Sequence, residues 1–146
     1  MKPEPILTGG CLCGRIRYRA AAPPVDAQFC HCRMCQRAQG AAFAIWFSVP
    51  AAALQIVRGE PAWYRSSSFA RRGFCGDCGS PLFFVYEASD MPGISIASLD
   101  DPAAVAPEAH WGVESLQPWL AFADRLPHCR TDDDPEFRAA SATSTK

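Results

Sequence analysis

The chain has 146 residues, which is enough for one domain with a hydrophobic core. Its 14 basic and 15 acidic residues give a formal net charge of −1, which excludes a strong general attraction to nucleic acid or to an anionic membrane. No apolar run reaches the roughly 20 residues of a membrane span, and the first residues lack the apolar core of a secretion signal. We therefore expect a cytoplasmic protein whose cysteines stay reduced.

Short β-strands are the main prediction along the chain. Residues 16–19 alternate, with Ile16 and Tyr18 on one face and arginines on the other. Gly-, Pro- and Ser-rich breaks separate further predicted strands, at residues 44–49, 54–57, 62–67, 82–86 and 94–99. The segment 82–86 is apolar on both faces, which predicts a central strand. Short helical turns are expected over residues 34–42 and 103–109.

The composition changes near residue 128. Residues 131–134 and 139–146 contain almost nothing apolar, and such segments seldom pack on a domain. We therefore predict a single β-rich domain over residues 1–128 and a disordered C-terminal tail over residues 129–146. Cys129 lies beside this tail and is expected to be a free thiol.

Seven of the eight cysteines form three tight clusters: Cys11 and Cys13; Cys30, Cys32 and Cys35; Cys75 and Cys78. Sulfurs one or two residues apart can bind one metal ion about 2.3 Å away, whereas a disulfide needs a Cα separation of about 4.4–6.8 Å that near neighbours rarely meet. The two pairs together predict a closed, structural four-sulfur zinc site. A redox Cys-x-x-Cys is the alternative, but it would need a βαβ setting that the flanking β-type residues do not indicate.

The trio predicts a second zinc ion, held by three thiolates. If the segment is extended, Cys30 and Cys32 project to one side and His31 to the other. The site would then keep an exchangeable fourth position, unless a distant His110 or His128 closes it. Three thiolates make zinc a weak Lewis acid that is better suited to holding a soft thiol as thiolate than to hydrolysis.

Two further groups of polar residues have alternative interpretations. His110 is followed along the chain by Trp111 and Trp119 and is a candidate catalytic residue, although a lone histidine in aromatic surroundings is often only packed in a core. Several arginines could line a basic cleft for an anionic ligand, or could simply lie on solvated strand faces, namely Arg58, Arg65, Arg71 and Arg72.

The cysteine motifs, taken together, resemble a known family. The segments are Gly9-Gly-Cys-Leu-Cys-Gly14, Cys30-His-Cys-Arg-Met-Cys35 followed by Gly40, and Phe74-Cys-Gly-Asp-Cys-Gly79, with Ser98-Leu-Asp-Asp-Pro102, Pro107-Glu-Ala-His110 and Pro118-Trp119 after them. In this order they are similar to the glutathione-dependent formaldehyde-activating enzyme family, which includes centromere protein V. The resemblance implies a mainly β fold, a β-tent of short antiparallel sheets with two zinc sites.

By position, the resemblance assigns the structural zinc to the two pairs (Cys11, Cys13, Cys75, Cys78) and the active-site zinc to the trio (Cys30, Cys32, Cys35). It implies a carbon–sulfur lyase that joins glutathione and formaldehyde into S-(hydroxymethyl)glutathione, so the expected partners are a small thiol and a small aldehyde. The alternative is a non-catalytic, zinc-stabilised interaction module, as the centromere protein branch suggests.

Overall fold

The computed structural model describes residue 3 and residues 5–143, and within them β-structure dominates. The strands are β1 (Leu7–Gly10), β2 (Arg17–Ala20), β3 (Val25–Cys30), β4 (Ala44–Ser48), β5 (Leu54–Arg58), β6 (Ala62–Arg65), β7 (Ala70–Phe74), β8 (Pro81–Tyr86), β9 (Gly93–Ser95), β10 (Ala109–Trp111) and β11 (His128–Cys129). The helices are α1 (Arg33–Gln39) and α2 (Pro135–Ala142), with short 3₁₀ turns between elements. Neither helix is long and apolar enough to cross a membrane, and this holds for the described part of the chain.

The strands form two open sheets. The smaller sheet has the order β1-β2-β5, and its pairings are antiparallel. The larger sheet has the order β11-β10-β3-β4-β9-β8-β7-β6, in which β10 pairs in parallel with both β3 and β11 and the remaining pairs are antiparallel. An isolated bridge between Gly9 and Leu99 joins β1 to the segment that follows β9. The predicted mainly β fold is confirmed.

The core lies between the two sheets. Its largest fully buried apolar side chains come from both of them, namely Tyr18, Phe47, Leu82, Phe83 and Ile94. Each such side chain contributes about 1.5–3 kcal/mol through removal of apolar surface from water. The Tyr18 hydroxyl is not left unpaired, because it lies 2.6 Å from the Ser98 hydroxyl. The alternation predicted for residues 16–19 is confirmed, with Tyr18 buried between partly exposed arginines.

Two predicted elements differ from the structure. The strand expected over 94–99 ends at Ser95, because the Ser98 hydroxyl donates to the Ser95 carbonyl at 2.7 Å and the chain turns into a 3₁₀ helix at Ile96–Ser98. The helical turn expected over 103–109 is only the 3₁₀ helix Pro102–Ala104, capped by the Asp101 carboxylate. Residues 109–111 instead form β10, because β3 offers them a parallel partner.

Residues 129–143, which the sequence led us to expect in a disordered tail, contain the end of β11 and the whole of α2 in the structure. Cys129 pairs with Trp111 in β11, and the Trp111 indole N–H donates to the Asp134 carboxylate at 2.8 Å. The Phe137 ring lies 5.9 Å from the Trp111 ring, edge to face, and Ala140 is buried. A few apolar contacts and one capped helix order this polar segment. Residues 144–146 of the expected tail lie outside the described residues.

Candidate metal centres and the adjoining cavity

Four cysteine sulfurs meet where two β-turns face each other. Cys11 and Cys13 lie in the turn between β1 and β2, and Cys75 and Cys78 in the turn between β7 and β8. The four sulfurs all lie within 4.8 Å of one another, with 3.5 Å between those of Cys11 and Cys13 and 3.7 Å between those of Cys13 and Cys75. All eight cysteines are free thiols. Tetrahedral ligands 2.3 Å from zinc stand about 3.8 Å apart, so these sulfurs fit a metal ion.

Hydrogen bonds favour the thiolate form at two of these sulfurs, those of Cys11 and Cys78. The Ile16 amide donates to Cys11 Sγ at 3.2 Å. Hydrogen bonds from the Ser80 hydroxyl and from the amides of Ser80 and Cys13 lower the pKa of Cys78 to about 5. Gly14 and Gly79 close the two turns with φ values of 78° and 76°, which an L side chain rarely adopts. Two of the four sulfurs are thus stabilised as thiolates, and the four together could hold one metal ion.

The cysteine trio forms the second group. Cys30 ends β3, Cys32 caps the N-terminus of α1, and Cys35 lies in the first turn of that helix. Their sulfurs also lie within 4.8 Å of one another, and the Cys35 amide donates to Cys32 Sγ at 3.3 Å. Among the described residues, no histidine belongs to either group. The trio could thus hold a metal ion through three sulfurs, and neither His110 nor His128 closes it.

Arg72 on β7 lies against the trio. Both of its terminal nitrogens are 3.5 Å from Cys35 Sγ, and its guanidinium lies 4.9 Å from the centre of the Phe84 ring. Hydrogen bonds from the other two cysteines lower the pKa of Cys35 well below its usual value, and the Arg72 charge lowers it further. Of the four arginines considered for a basic cleft, Arg72 is the one that lines the cavity described next.

A cavity of about 120 Å³ adjoins the trio. The three cysteines line one part of it, Trp46 and Phe84 another, and helix α2 closes a side through Phe137. Tyr86 also lines it, and burial together with the charges of Asp134 and Glu136 raises the pKa of that phenol. The phenol therefore stays protonated at neutral pH, and its hydroxyl can donate a hydrogen bond.

His31 points away from the cavity into a buried chain of polar contacts. His31 Nε2 lies 2.8 Å from His110 Nδ1, and His110 Nε2 lies 3.1 Å from both Asp124 carboxylate oxygens. Because the carboxylate accepts from His110 Nε2–H, His110 Nδ1 accepts from His31 Nε2–H. Burial and the neighbouring histidines lower the pKa of His31 to about 4.

His110 is fully buried and is not among the residues that line the cavity. Its ring stacks on Phe29 with centroids 4.7 Å apart and meets Phe122 at 4.4 Å. The structure therefore places this candidate catalytic residue behind the trio, where it contacts His31. The seven clustered cysteines form one group of four and one group of three, as their spacing predicted. His110 has no contact with the cavity.

Sequence reasoning did not identify several residues of this site. Trp46, Tyr86 and Phe137 come from three separate elements, and nothing in their local sequence marks them. Asp124 lies in a segment without regular structure, 14 residues after its partner His110. A search for carboxylates near buried histidines would have needed the fold first.

Comparisons with known proteins agree with this geometry. The sequence profile of the glutathione-dependent formaldehyde-activating enzyme family matches residues 6–115. An uncharacterized lyase of Schizosaccharomyces pombe is 33% identical over 96 residues, which are 60% of this chain and 64% of that relative, less than two thirds of its length. A Halomonas elongata protein, provisionally named a glutathione-dependent formaldehyde-activating enzyme, is 28% identical over 82% of this chain and 83% of its own length.

A solved structure supports the fold. The crystal structure of a Rhodobacter sphaeroides protein superposes with a TM-score of 0.55 at 26% identity, and the match covers 68% of this chain and 91% of that one. The family profile spans both cysteine groups up to residue 115 and therefore includes the whole of the candidate metal centres. The chain belongs to the glutathione-dependent formaldehyde-activating enzyme family.

Proposed function

We propose that the protein is a zinc-dependent carbon–sulfur lyase that forms and cleaves adducts of a thiol with a small aldehyde. Glutathione and formaldehyde are the pair that the family name carries, and S-(hydroxymethyl)glutathione would be their adduct. The observation that supports the proposal best is the difference between the two cysteine groups. The first has four sulfurs, whereas the second has three sulfurs beside a cavity.

In this proposal each chain holds two zinc ions. Cys11, Cys13, Cys75 and Cys78 would bind a structural ion, and Cys30, Cys32 and Cys35 an ion at the active site. Zinc bound by three thiolates stabilises an added thiol as its thiolate near neutral pH. Arg72 would offset part of the negative charge at Cys35, because both of its terminal nitrogens contact that sulfur.

The cavity supplies groups for the aldehyde. Trp46 lines it, and the buried indole N–H finds no acceptor among the described residues. A carbonyl oxygen that reached this donor would satisfy it, and the Tyr86 hydroxyl can donate a second hydrogen bond. The thiol gives up its S–H proton to solvent, its sulfur adds to the carbonyl carbon, the π electrons move to oxygen, and the oxygen takes a proton from solvent. Overall a thiol and an aldehyde join without oxidation, and the reverse reaction releases both.

His110 would act indirectly. Its hydrogen bond to His31 holds that residue in place, and His31 stands between Cys30 and Cys32, which supply two of the trio sulfurs. We assign His110 a positioning role, with Asp124 as its partner on the other side. Its contribution would be to keep the sulfurs of the trio facing the cavity.

The test replaces zinc with cobalt and adds thiols. We expect 2-mercaptoethanol or glutathione to change the visible ligand-field bands toward four-sulfur coordination, and Cys32→Ser to abolish the change. Exchange spectroscopy should then show faster adduct formation with formaldehyde than without protein, and Trp46→Phe should reduce that rate about tenfold or more. Spectra that stay unchanged with every thiol at millimolar concentration would contradict the proposal and favour a non-catalytic, zinc-stabilised module.

A further inference from the structure

We propose that the cavity beside the trio accepts a small cationic thiol, an aminothiol, in preference to a tripeptide thiol that carries two carboxylates. The proposal rests on the proposed function for the reaction and the site, and it assigns the thiol. It depends on the size of the cavity, on the charges that line it and on one unpaired donor. Helix α2 contributes to the small size of the cavity and to the charges that line it.

The size argues against a tripeptide. Pockets for drug-sized ligands usually measure about 300–1,000 Å³, whereas this cavity measures about 120 Å³. Part of the closure comes from α2, whose Phe137 contacts the rings of Trp111 and Phe69 at 5.9 and 5.8 Å. This helix lies beyond residue 115, where the match to the family profile ends. The narrowing is therefore a feature of this chain outside the matched segment.

The charges argue for a cation. Three carboxylates line the cavity, those of Asp26, Asp134 and Glu136. Among the described residues that line it, Arg72 is the only cationic side chain, and its guanidinium already contacts Cys35 Sγ. The trio thiolates add further negative charge. An ammonium group on the thiol would be attracted here, and a carboxylate would be repelled.

One residue of the cavity wall, Trp46, carries an unpaired donor. Trp46 is 7% exposed and its indole N–H lacks an acceptor in the described part of the chain. A buried donor without a partner lowers stability, and such groups are usually satisfied by a ligand or by water. The hydroxyl of a thiol–aldehyde adduct could accept from this N–H if it reached the donor, and a small aminothiol would bring that hydroxyl into the cavity without an added carboxylate.

The test compares three thiols of nearly equal size that differ in charge, and adds glutathione as a larger thiol. Isothermal titration calorimetry on the zinc-loaded full chain would use 2-aminoethanethiol, 2-mercaptoethanol, mercaptoacetate and glutathione, with Cys32→Ser as the blank. We expect affinity to fall in that order, with 2-aminoethanethiol at least about tenfold tighter than mercaptoacetate. Higher salt should narrow this ratio, because it screens charges.

Matched variants identify the charges responsible. Glu136→Gln and Asp26→Asn should each reduce the ratio of the two affinities about two- to fivefold. Asp132→Asn removes the same charge from an exposed residue that does not line the cavity and should leave the ratio unchanged. Equal affinities for cationic and anionic thiols, or glutathione as the tightest ligand, would overturn this inference and leave the proposed function standing. Absence of binding by all four thiols would overturn the proposed function as well.

Discussion

The clearest prediction is that two single cysteine substitutions have unequal effects. Cys78→Ser removes one sulfur from the group that joins the β1–β2 turn to the β7–β8 turn, more than 60 residues apart in sequence. Cys32→Ser removes one sulfur from the trio. Serine is a favoured N-cap, and its hydroxyl can accept the Cys35 amide as Cys32 Sγ does. Helix α1 should therefore survive in Cys32→Ser.

The expected magnitudes differ widely. Structural zinc contributes an apparent binding free energy of about 10–16 kcal/mol in small domains, while whole domains are stable by only about 5–15 kcal/mol. Losing the ion at the four-sulfur site should therefore unfold Cys78→Ser or make it aggregate. Cys32→Ser should keep the fold and lose one metal ion per chain.

Metal analysis by mass spectrometry and thermal unfolding by circular dichroism measure both effects. Cys129→Ser is the matched control, because Cys129 belongs to neither cysteine group, and it should keep two metal ions per chain and an unchanged melting temperature. Equal collapse of Cys78→Ser and Cys32→Ser, or a single zinc in the control variant, would refute the division into structural and active-site ions.

Three further changes have defined outcomes. Deleting residues 131–146 removes α2, and with it about 2 kcal/mol of packing and hydrogen bonding. The melting temperature in calorimetry should therefore fall by about 4–8 °C. An unchanged melting temperature would mean that α2 does not stabilise the domain. The Arg17 guanidinium lowers the pKa of Asp100 to about 2, so the ion pair stabilises the fold above about pH 4 and its contribution is lost as the pH falls through 2. Asp100→Asn should therefore lose about 1 kcal/mol in urea unfolding at pH 7 and only a small part of that at pH 2. An equal loss at both pH values would contradict the ion pair. Gly112→Ala places a Cβ 3.0 Å from the Cys32 amide nitrogen, at a φ of 70° that alanine rarely adopts. Competition with a coloured chelator should therefore show weaker metal binding at the trio alone. Equally weakened binding at both cysteine groups would refute this.

The sequence was most informative where the chemistry is local. Sulfurs one to three residues apart need only one turn to meet, so Cys11 and Cys13, or Cys75 and Cys78, are recognisable as units before the fold is known. The same local reasoning placed His31 on the side opposite the trio sulfurs, as the structure has it. That these groups bind zinc stays a prediction.

The cavity could not be predicted in this way. Trp46, Arg72 and Phe137 meet there only because β4 and β7 share one sheet and α2 returns to it. The small number of apolar residues led us to expect disorder in the C-terminal segment. In the structure, Phe137 packs on the Trp111 ring and the Trp111 indole N–H donates to Asp134, and these contacts order the segment. Long-range contacts of this kind leave no periodic signal in the residues that make them.

The order of the cysteines along the chain has a consequence during synthesis. The trio is complete once residue 35 has left the ribosome, the four-sulfur group only after residue 78, and the wall formed by α2 only after residue 137. Translation at about 5–20 residues per second separates the first and last of these events by several seconds. A growing chain therefore presents three unshielded thiols to cellular metals and oxidants before its own fold can cover them. A metal ion that binds the trio at that stage would be enclosed when α2 docks.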